Sequence, residues 1–190
     1  MSEAVGRAPL VVGIGGSTSA TSVTASLLRS VLGTCAQLGA VTEEFAAPYL
    51  ATLPIYAATE PPLAIPEAEP LLDAVRRADA VVIATPGYHG GMSGLVKNAL
   101  DHLEALRGDA RPYLDGRAVG AVVSAAGWQA CGTTLTSVRS TIHALRGWPT
   151  PFGVTVNTAE QRVGLDGAFD ERVSGGLQIL AEQLLGFARR

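Results

Sequence analysis

Hydroxyl groups crowd the stretch after the first apolar run. In Gly16-Ser17-Thr18-Ser19-Ala20-Thr21-Ser22-Val23-Thr24, five serines or threonines stand between positions 17 and 22. Where such a stretch opens a helix, free N–H groups and the helix dipole attract an anion and the hydroxyls add donors, which suits a phosphate. The same residues also suit a plainer task, with Ser17 or Ser19 capping the helix. No GxxxxGK[ST] occurs, and Gly13-Ile14-Gly15-Gly16-Ser17-Thr18 lacks the third glycine of a dinucleotide fingerprint. A Walker-type loop is therefore excluded and an NAD-type site disfavoured.

A second cluster, Thr85-Pro86-Gly87-Tyr88-His89-Gly90-Gly91, lies between an apolar strand and an amphipathic helix. It has more backbone freedom and more aromatic surface than a plain connection needs, and a flat ligand fits it. Tyr88, together with Trp128 from a later loop at the same sheet edge, suits the flanks of a planar ring; both also suit rim or core packing. His89-Gly90-Gly91 with Ser93 resembles an esterase oxyanion loop and nucleophile. That chemistry fails on context, because no GxSxG elbow occurs in the chain. Ser93 is more simply the cap of a helix beginning at Gly94. His89 is more simply a backbone-bonded loop residue than an acid or base, and His102 and His143 fall on helices with no assigned function.

The bulk numbers narrow the partners. With 14 basic and 17 acidic residues spread along the chain and a formal charge of −3, there is no basic stripe for nucleic acid and no polybasic membrane patch. Cys35 and Cys131 form neither a CxxC pair nor a ligand cluster with the three histidines, which disfavours disulfide, zinc and thiol chemistry and suits a reducing cytoplasm. No window approaches 18 uninterrupted apolar residues and residues 1–9 lack an apolar leader, so a soluble, unprocessed chain is expected. A length of 190 residues with 47% hydrophobic composition suits one domain with one substantial core.

These clusters need elements to hold them. Leu10–Ile14 reads as a doubly buried strand, and Val23, Leu27, Val31 and Leu38 keep helical spacing up to Gly39. Residues 40–46 form a weaker second strand, nearer an edge because Glu43-Glu44 breaks the apolar pattern. Five prolines between 47 and 66 predict a long connection with no regular element, either functional or simply pinned by its apolar residues. Leu71, Leu72 and Val75 mark a short helix and Ala80–Ala84 the most apolar, hence central, strand. Leu95, Ala99, Leu103 and Leu106 line the next helix, closed by Gly108. Residues 117–124 form a fourth strand, Leu135 to Leu145 a helix, 152–156 a fifth strand, and Val173 to Leu184 a final helix. Strands alternating with helices predict a parallel sheet covered on both faces, and five strands suit the flavodoxin-like α/β doubly wound order 2-1-3-4-5. A ligand then sits beyond the carboxyl ends of the strands, where the loops after strands one, three and four converge.

Taken together, Gly16-Ser17 with Ser22 and Thr24, Leu53-Pro54-Ile55-Tyr56, Thr85-Pro86-x-Tyr88-x-Gly90 with Lys97-Asn98-Ala99-Leu100-Asp101, and Ser124-x-x-Gly127 resemble the NAD(P)H-dependent FMN reductase family, from about residue 10 to about residue 150. The third block is the specific one. The resemblance implies a flavodoxin-like fold, noncovalent FMN with NAD(P)H as co-substrate, and hydride passed to free flavin, a quinone or a similar small acceptor. It implies that Ser17, Ser19, Ser22 and Thr24 surround the phosphate and that Pro86, Gly87, Tyr88, His89 and Gly90 line the ring. Ser124, Gly127 and Trp128 would close the ring's far side. A homodimer or homotetramer is implied, and no residue is implied as a catalytic acid or base. Family members often carry arginine at the position of Ser19, glutamate at Gly87, asparagine at His89 and proline at Ser93. Two alternatives share the scaffold: an electron-transfer or FMN-binding module with a protein partner, and a dedicated reductase of one biosynthetic intermediate.

Overall fold

The computed structural model describes residues 7–19, 21–59, 64–161 and 169–188. Pro61 and Pro62 of the long connection, Ala20 of the hydroxyl-rich loop and residues 1–6 lie outside the described residues. The strands are β1 Leu10–Gly15, β2 Val41–Ala46, β3 Ala80–Tyr88, β4 Gly91–Met92, β5 Ala118–Ala125, β6 Trp148–Pro149 and β7 Val154–Asn157. The helices are α1 Val23–Gln37, α2 Ala47–Leu50, α3 Glu69–Arg77, α4 Gly94–Asp101, α5 Trp128–Ala144 and α6 Glu171–Ala188. The parallel strands run in the order β2-β1-β3-β5, and both β6 and β7 add in parallel to β5. This is the expected flavodoxin-like order.

Both faces of the sheet are apolar, as crossover helices on two sides require. Val12, Ile14, Val81, Ile83, Val119, Ala121 and Val123 point to one side and pack with Leu71, Val75, Leu100, Leu103 and Ile142. The alternate positions Val11, Val82, Ala84, Val122, Val154 and Val156 pack with Leu27, Leu28, Val31, Leu177, Leu180 and Leu184 of α1 and α6. Period-two alternation thus feeds two cores from the same strands. Cys35 belongs to the second, where burial pushes its thiol up to about 11. The unfolded chain gives up that proton from about pH 9, so this group's contribution to stability falls as pH rises from there towards 11.

Four local departures from the sequence reading have physical causes. The fifth strand comes in two pieces, because Pro149 and Pro151 lack N–H groups and the chain bends out between Thr150 and Gly153. The connection after β2 does hold a regular element, the single turn α2, which Pro48 starts well because it occupies the first turn, where no N–H partner exists. Helix α4 tightens into a 3-10 segment over His102–Leu106 instead of running evenly to Gly108. Finally, β3 continues to Tyr88 and α5 begins at Trp128, so residues expected on loops sit at the ends of regular elements.

The two rims of the sheet differ. On β2, Glu43 pairs with Arg77 at 3.0 Å and Glu44 with Arg29 at 3.6 Å. The rim formed by β6 and β7 carries Trp148 and Phe152, beside Ile179 and Phe187 of α6, all partly exposed. Below the start of β5 lies Arg117, fully buried, whose guanidinium donates to the carbonyls of Ala78, Arg76, Tyr113 and Asp115. Burial, with Arg111 adding to it, pulls its pKa down to about 10, so it remains a cation at neutral pH.

Candidate functional site

The carboxyl ends of β1, β3 and β5 share one edge: Gly15 is level with Ala84, and Pro86 with Ser124. At the end of β1 the chain turns sharply. Gly15 has φ 146°, and a Cβ there would stand 1.9 Å from the Ala84 carbonyl oxygen, so only glycine fits. The same carbonyl accepts the Gly16 N–H at 3.1 Å, which fixes where the hydroxyl-rich loop leaves the sheet. Ser17 is half-buried, Thr18 and Ser19 are exposed, and the Ser19 N–H donates to Ser17 Oγ at 3.2 Å. Ser22 is the cap of α1, accepting from the Ala25 N–H at 3.1 Å. Capping satisfies one first-turn donor and leaves others without a partner inside the helix.

Thr24 and Ser124, which the resemblance assigns to the phosphate and the ring, meet one another. Both are buried, and their hydroxyls bond to each other at 2.6 Å. They tie the start of α1 to the end of β5 beneath the mouth of the site. Replacing Thr24 with valine strands the Ser124 hydroxyl and is expected to cost about 1–2 kcal/mol, whereas adding Ser124→Ala recovers part of that loss. Urea unfolding of the two single variants and the double variant measures it.

The central cluster is a β-hairpin. Gly87 pairs with Met92 and Tyr88 with Gly91 across β3 and β4, leaving His89 and Gly90 as a two-residue loop. Their φ values of 51° and 86° are those of a type I′ turn, in which both central residues take positive φ. Histidine, like asparagine, tolerates that region better than most residues. The position of His89 is thus explained by turn geometry, and its side chain is exposed. Gly87 faces inward: a Cβ there would lie 2.8 Å from Thr134 Oγ1 and 2.9 Å from the Ala125 Cβ. A larger residue at 87 would have to move α5 away from the sheet. Thr85 Oγ1 accepts the Ser93 N–H at 2.9 Å, and Ser93 caps α4 through the Val96 N–H. The hairpin is thereby bound to the helix that follows it.

The connection after β2 is clamped against α4. Asn98 accepts the Tyr56 N–H at 2.8 Å and donates to the Pro54 carbonyl at 3.0 Å. His102 Nε2 also meets the Pro54 carbonyl, at 2.9 Å, and a carbonyl only accepts, so Nε2 carries the proton. Tyr56 stacks edge-on against the His102 ring. Leu50 and Leu53 are buried while Ile55 is exposed, so the loop is pinned by apolar residues and still presents one to solvent.

Gly127, at φ 117°, turns β5 into α5, and no side chain caps that helix. The Gly127 N–H instead donates to Asn157 Oδ1 at 2.8 Å. The next amides, from Trp128 onward, open the first turn of a 17-residue helix and bring its positive end to the mouth. Trp128 and Tyr88 are both substantially exposed there. Sequence reasoning missed Asn98, His102, Asn157 and Glu160, the last of which accepts the Trp128 indole N–H; each acts by bonding to backbone or side chains distant in sequence. Only the family block containing Asn98 carried a local signal for any of them.

Among the described residues, no group of His, Cys, Asp and Glu side chains is placed to hold a metal ion, and no helix is long and apolar enough to cross a membrane. The groups brought to this edge are backbone amides, hydroxyls, glycine turns and two aromatic rings.

Comparison with known proteins gives a consistent result. The family model described as NADPH-dependent FMN reductase matches residues 9–161. The FMN-dependent NADPH-azoreductase of Staphylococcus aureus is 26% identical over 113 residues, covering 58% of this chain and 56% of that protein. The chain thus spans little more than half the length of the curated relatives it matches. Among solved structures, FerB, a flavoenzyme NAD(P)H:(acceptor) oxidoreductase from Paracoccus denitrificans, superposes with a TM-score of 0.72 at 20% identity, covering 95% of this chain and 97% of that one. RosB with a bound riboflavin-phosphate intermediate gives 0.76 at 15% identity, covering 96% and 79%. At these identities the structural matches establish the fold.

Proposed function

Because the chain belongs to the NADPH-dependent FMN reductase family, we propose that it is an NAD(P)H-dependent FMN oxidoreductase serving a small acceptor such as free flavin or a quinone. The observation that carries this reading is the convergence at one sheet edge of a hydroxyl-rich helix start, a glycine hairpin bearing Tyr88, and the uncapped start of α5 bearing Trp128. The residues fit FMN. Gly15 leaves no Cβ between the first loop and β3, and Gly90 and Gly127 stand in open space where backbone can approach a flat ring.

In this reading Ser17, Ser19 and Ser22 with the first-turn amides of α1 hold the phosphate. Thr24 and Ser124 brace that loop from below. Pro86 to Gly90 form the platform for the ring, and Gly127 and Trp128 flank it. Bound FMN would supply two-electron hydride chemistry. The chain's part is to bind, orient and stabilise charge. The amides at the start of α5 favour a partial negative charge on the ligand edge nearest them, and no side chain has to move a proton there. The exposed faces of Tyr88 and Trp128 leave room for nicotinamide and acceptor to take turns. A single FMN-binding domain, a homodimer or homotetramer, and a cytoplasmic location accompany the reading.

Purified protein mixed with FMN and freed of excess should keep the flavin absorption bands, and NADPH added without oxygen should bleach them. Protein that retains no FMN and oxidises no NADPH sinks the proposal.

A further inference from the structure

Trp128 and Tyr88 are both exposed at the mouth, yet they are held differently. Tyr88 makes no side-chain hydrogen bond with any described residue, whereas Trp128 Nε1 donates to Glu160 Oε2 at 2.8 Å. We propose that Glu160 is a positioning residue: it fixes the plane of the Trp128 indole and so sets which flat acceptors enter the site. This rests on the function proposed above.

An exposed glutamate on a loose loop would gain little by such a bond, since ordering two side chains costs entropy. Glu160 sits instead on a turn tied down at several points. The Asn157 side-chain oxygen accepts both the Gly127 N–H at 2.8 Å and the Ala159 N–H at 3.1 Å. The Asn157 N–H donates to Gln161 Oε1 at 2.8 Å, and the Thr158 N–H returns to the Ala125 carbonyl at 2.9 Å. The Asn157 carbonyl receives the N–H groups of Glu160 and Gln161. One buried asparagine therefore organises both ends of the contact: it sets the turn that carries Glu160 and holds the residue before Trp128. With both backbones fixed, the charge-assisted N–H···O bond has only the two side chains to order.

A Trp128 ring set in one orientation forms a wall that a flat molecule must match. A ring free to swing presents no such wall. The effect should therefore appear in the binding of planar acceptors and not in electron delivery to an acceptor that needs no stacking.

The chain contains two tryptophans, so its indole N–H region holds two proton resonances, and Trp148→Phe assigns them. In FMN-loaded protein, Glu160→Ala should move the Trp128 N–H resonance upfield and speed its solvent exchange about tenfold. The KM for menadione, a planar quinone, should rise about fivefold, the factor one hydrogen bond carries, while the KM for ferricyanide stays put. Glu160→Gln, whose amide oxygen still accepts, should restore both the resonance and the quinone KM. An unmoved Trp128 resonance in Glu160→Ala overturns the proposal, as does an equal change in KM for both acceptors. If wild-type protein binds no FMN, the function proposed above has failed; the same resonance read in protein without flavin still decides whether Glu160 holds the ring.

Discussion

Gly15→Ala is expected to lower the unfolding free energy by about 4 kcal/mol and to weaken FMN binding by at least about tenfold. Two costs add. A residue other than glycine is strained at φ 146°, and the new Cβ would overlap the Ala84 carbonyl at 1.9 Å. Neither can relax alone, because the carbonyl it strikes is also the acceptor of the Gly16 N–H and part of the β1–β3 pairing. Pushing Ala84 away widens the sheet under the site. Letting the chain swing outward instead moves Ser17 and the start of α1. Urea unfolding followed by circular dichroism gives the first effect, and fluorescence titration with FMN gives the second. A variant that matches wild type in both would show that the turn after β1 has slack that these distances deny.

The second large effect lies at the other end of the sheet. Arg117→Met is expected to destabilise the fold by about 3 kcal/mol, because four carbonyls lose their donor at once. The sign is not obvious beforehand, since removing a buried charge also removes its desolvation cost. Burial lowers the folded-state pKa of this guanidinium below its unfolded value, so the bare cation weighs against the fold at neutral pH and loses that penalty only as pH rises beyond about 10. The carbonyls of Ala78, Arg76, Tyr113 and Asp115 decide the balance. They come from the end of α3 and the turn before β5, two segments that no strand pairing joins. Arg117→Lys should recover little, because an ammonium has three donors and cannot reproduce the planar fork. Thermal unfolding of the three proteins tests the order wild type, lysine, methionine. NADPH turnover at low temperature should survive in both variants, as Arg117 is at the amino end of β5 and the candidate site at its carboxyl end.

How much of this was legible beforehand varies with the range of the interaction. The fold was readable because β1, β3 and β5 are runs rich in Val, Ile and Ala and the long helices keep a regular apolar stripe, and both signals are local. The central place of β3 followed from Ala80–Ala84, and the rim place of β2 from Glu43-Glu44. The split of the last strand was less legible, since Phe152 and Gly153 look strand-like until the bend around Pro151 is seen. In the candidate site, the cap role of Ser93 could be read from its position before a helix, whereas the cap of α1 is Ser22 and not Ser17 or Ser19 as expected, because the helix starts only at Val23. The bond between Thr24 and Ser124 could not, because it joins residues 100 apart in sequence. The inward direction of Gly87 depends on Thr134 and Ala125, which nothing in the sequence places beside it. His89 reads from the sequence as a loop residue rather than an acid or base, and its φ adds the tight turn that the sequence did not specify.

The contrast between the two rims has a consequence for how copies of this protein meet at high concentration. A sheet grows by recruiting strands onto an unpaired edge, and that is the first step towards cross-β aggregation. At β2 an incoming strand meets Glu43 and Glu44, already engaged by Arg77 and Arg29. At the opposite rim the ladder is broken between β6 and β7, where Pro149 and Pro151 offer no N–H and the carbonyls of Thr150 and Pro151 accept from Arg139. The β2 border discourages an added strand by its charges, and the opposite border by its broken ladder. The exposed surface of Trp148, Phe152, Ile179 and Phe187 offers another copy side-chain contacts rather than backbone pairing.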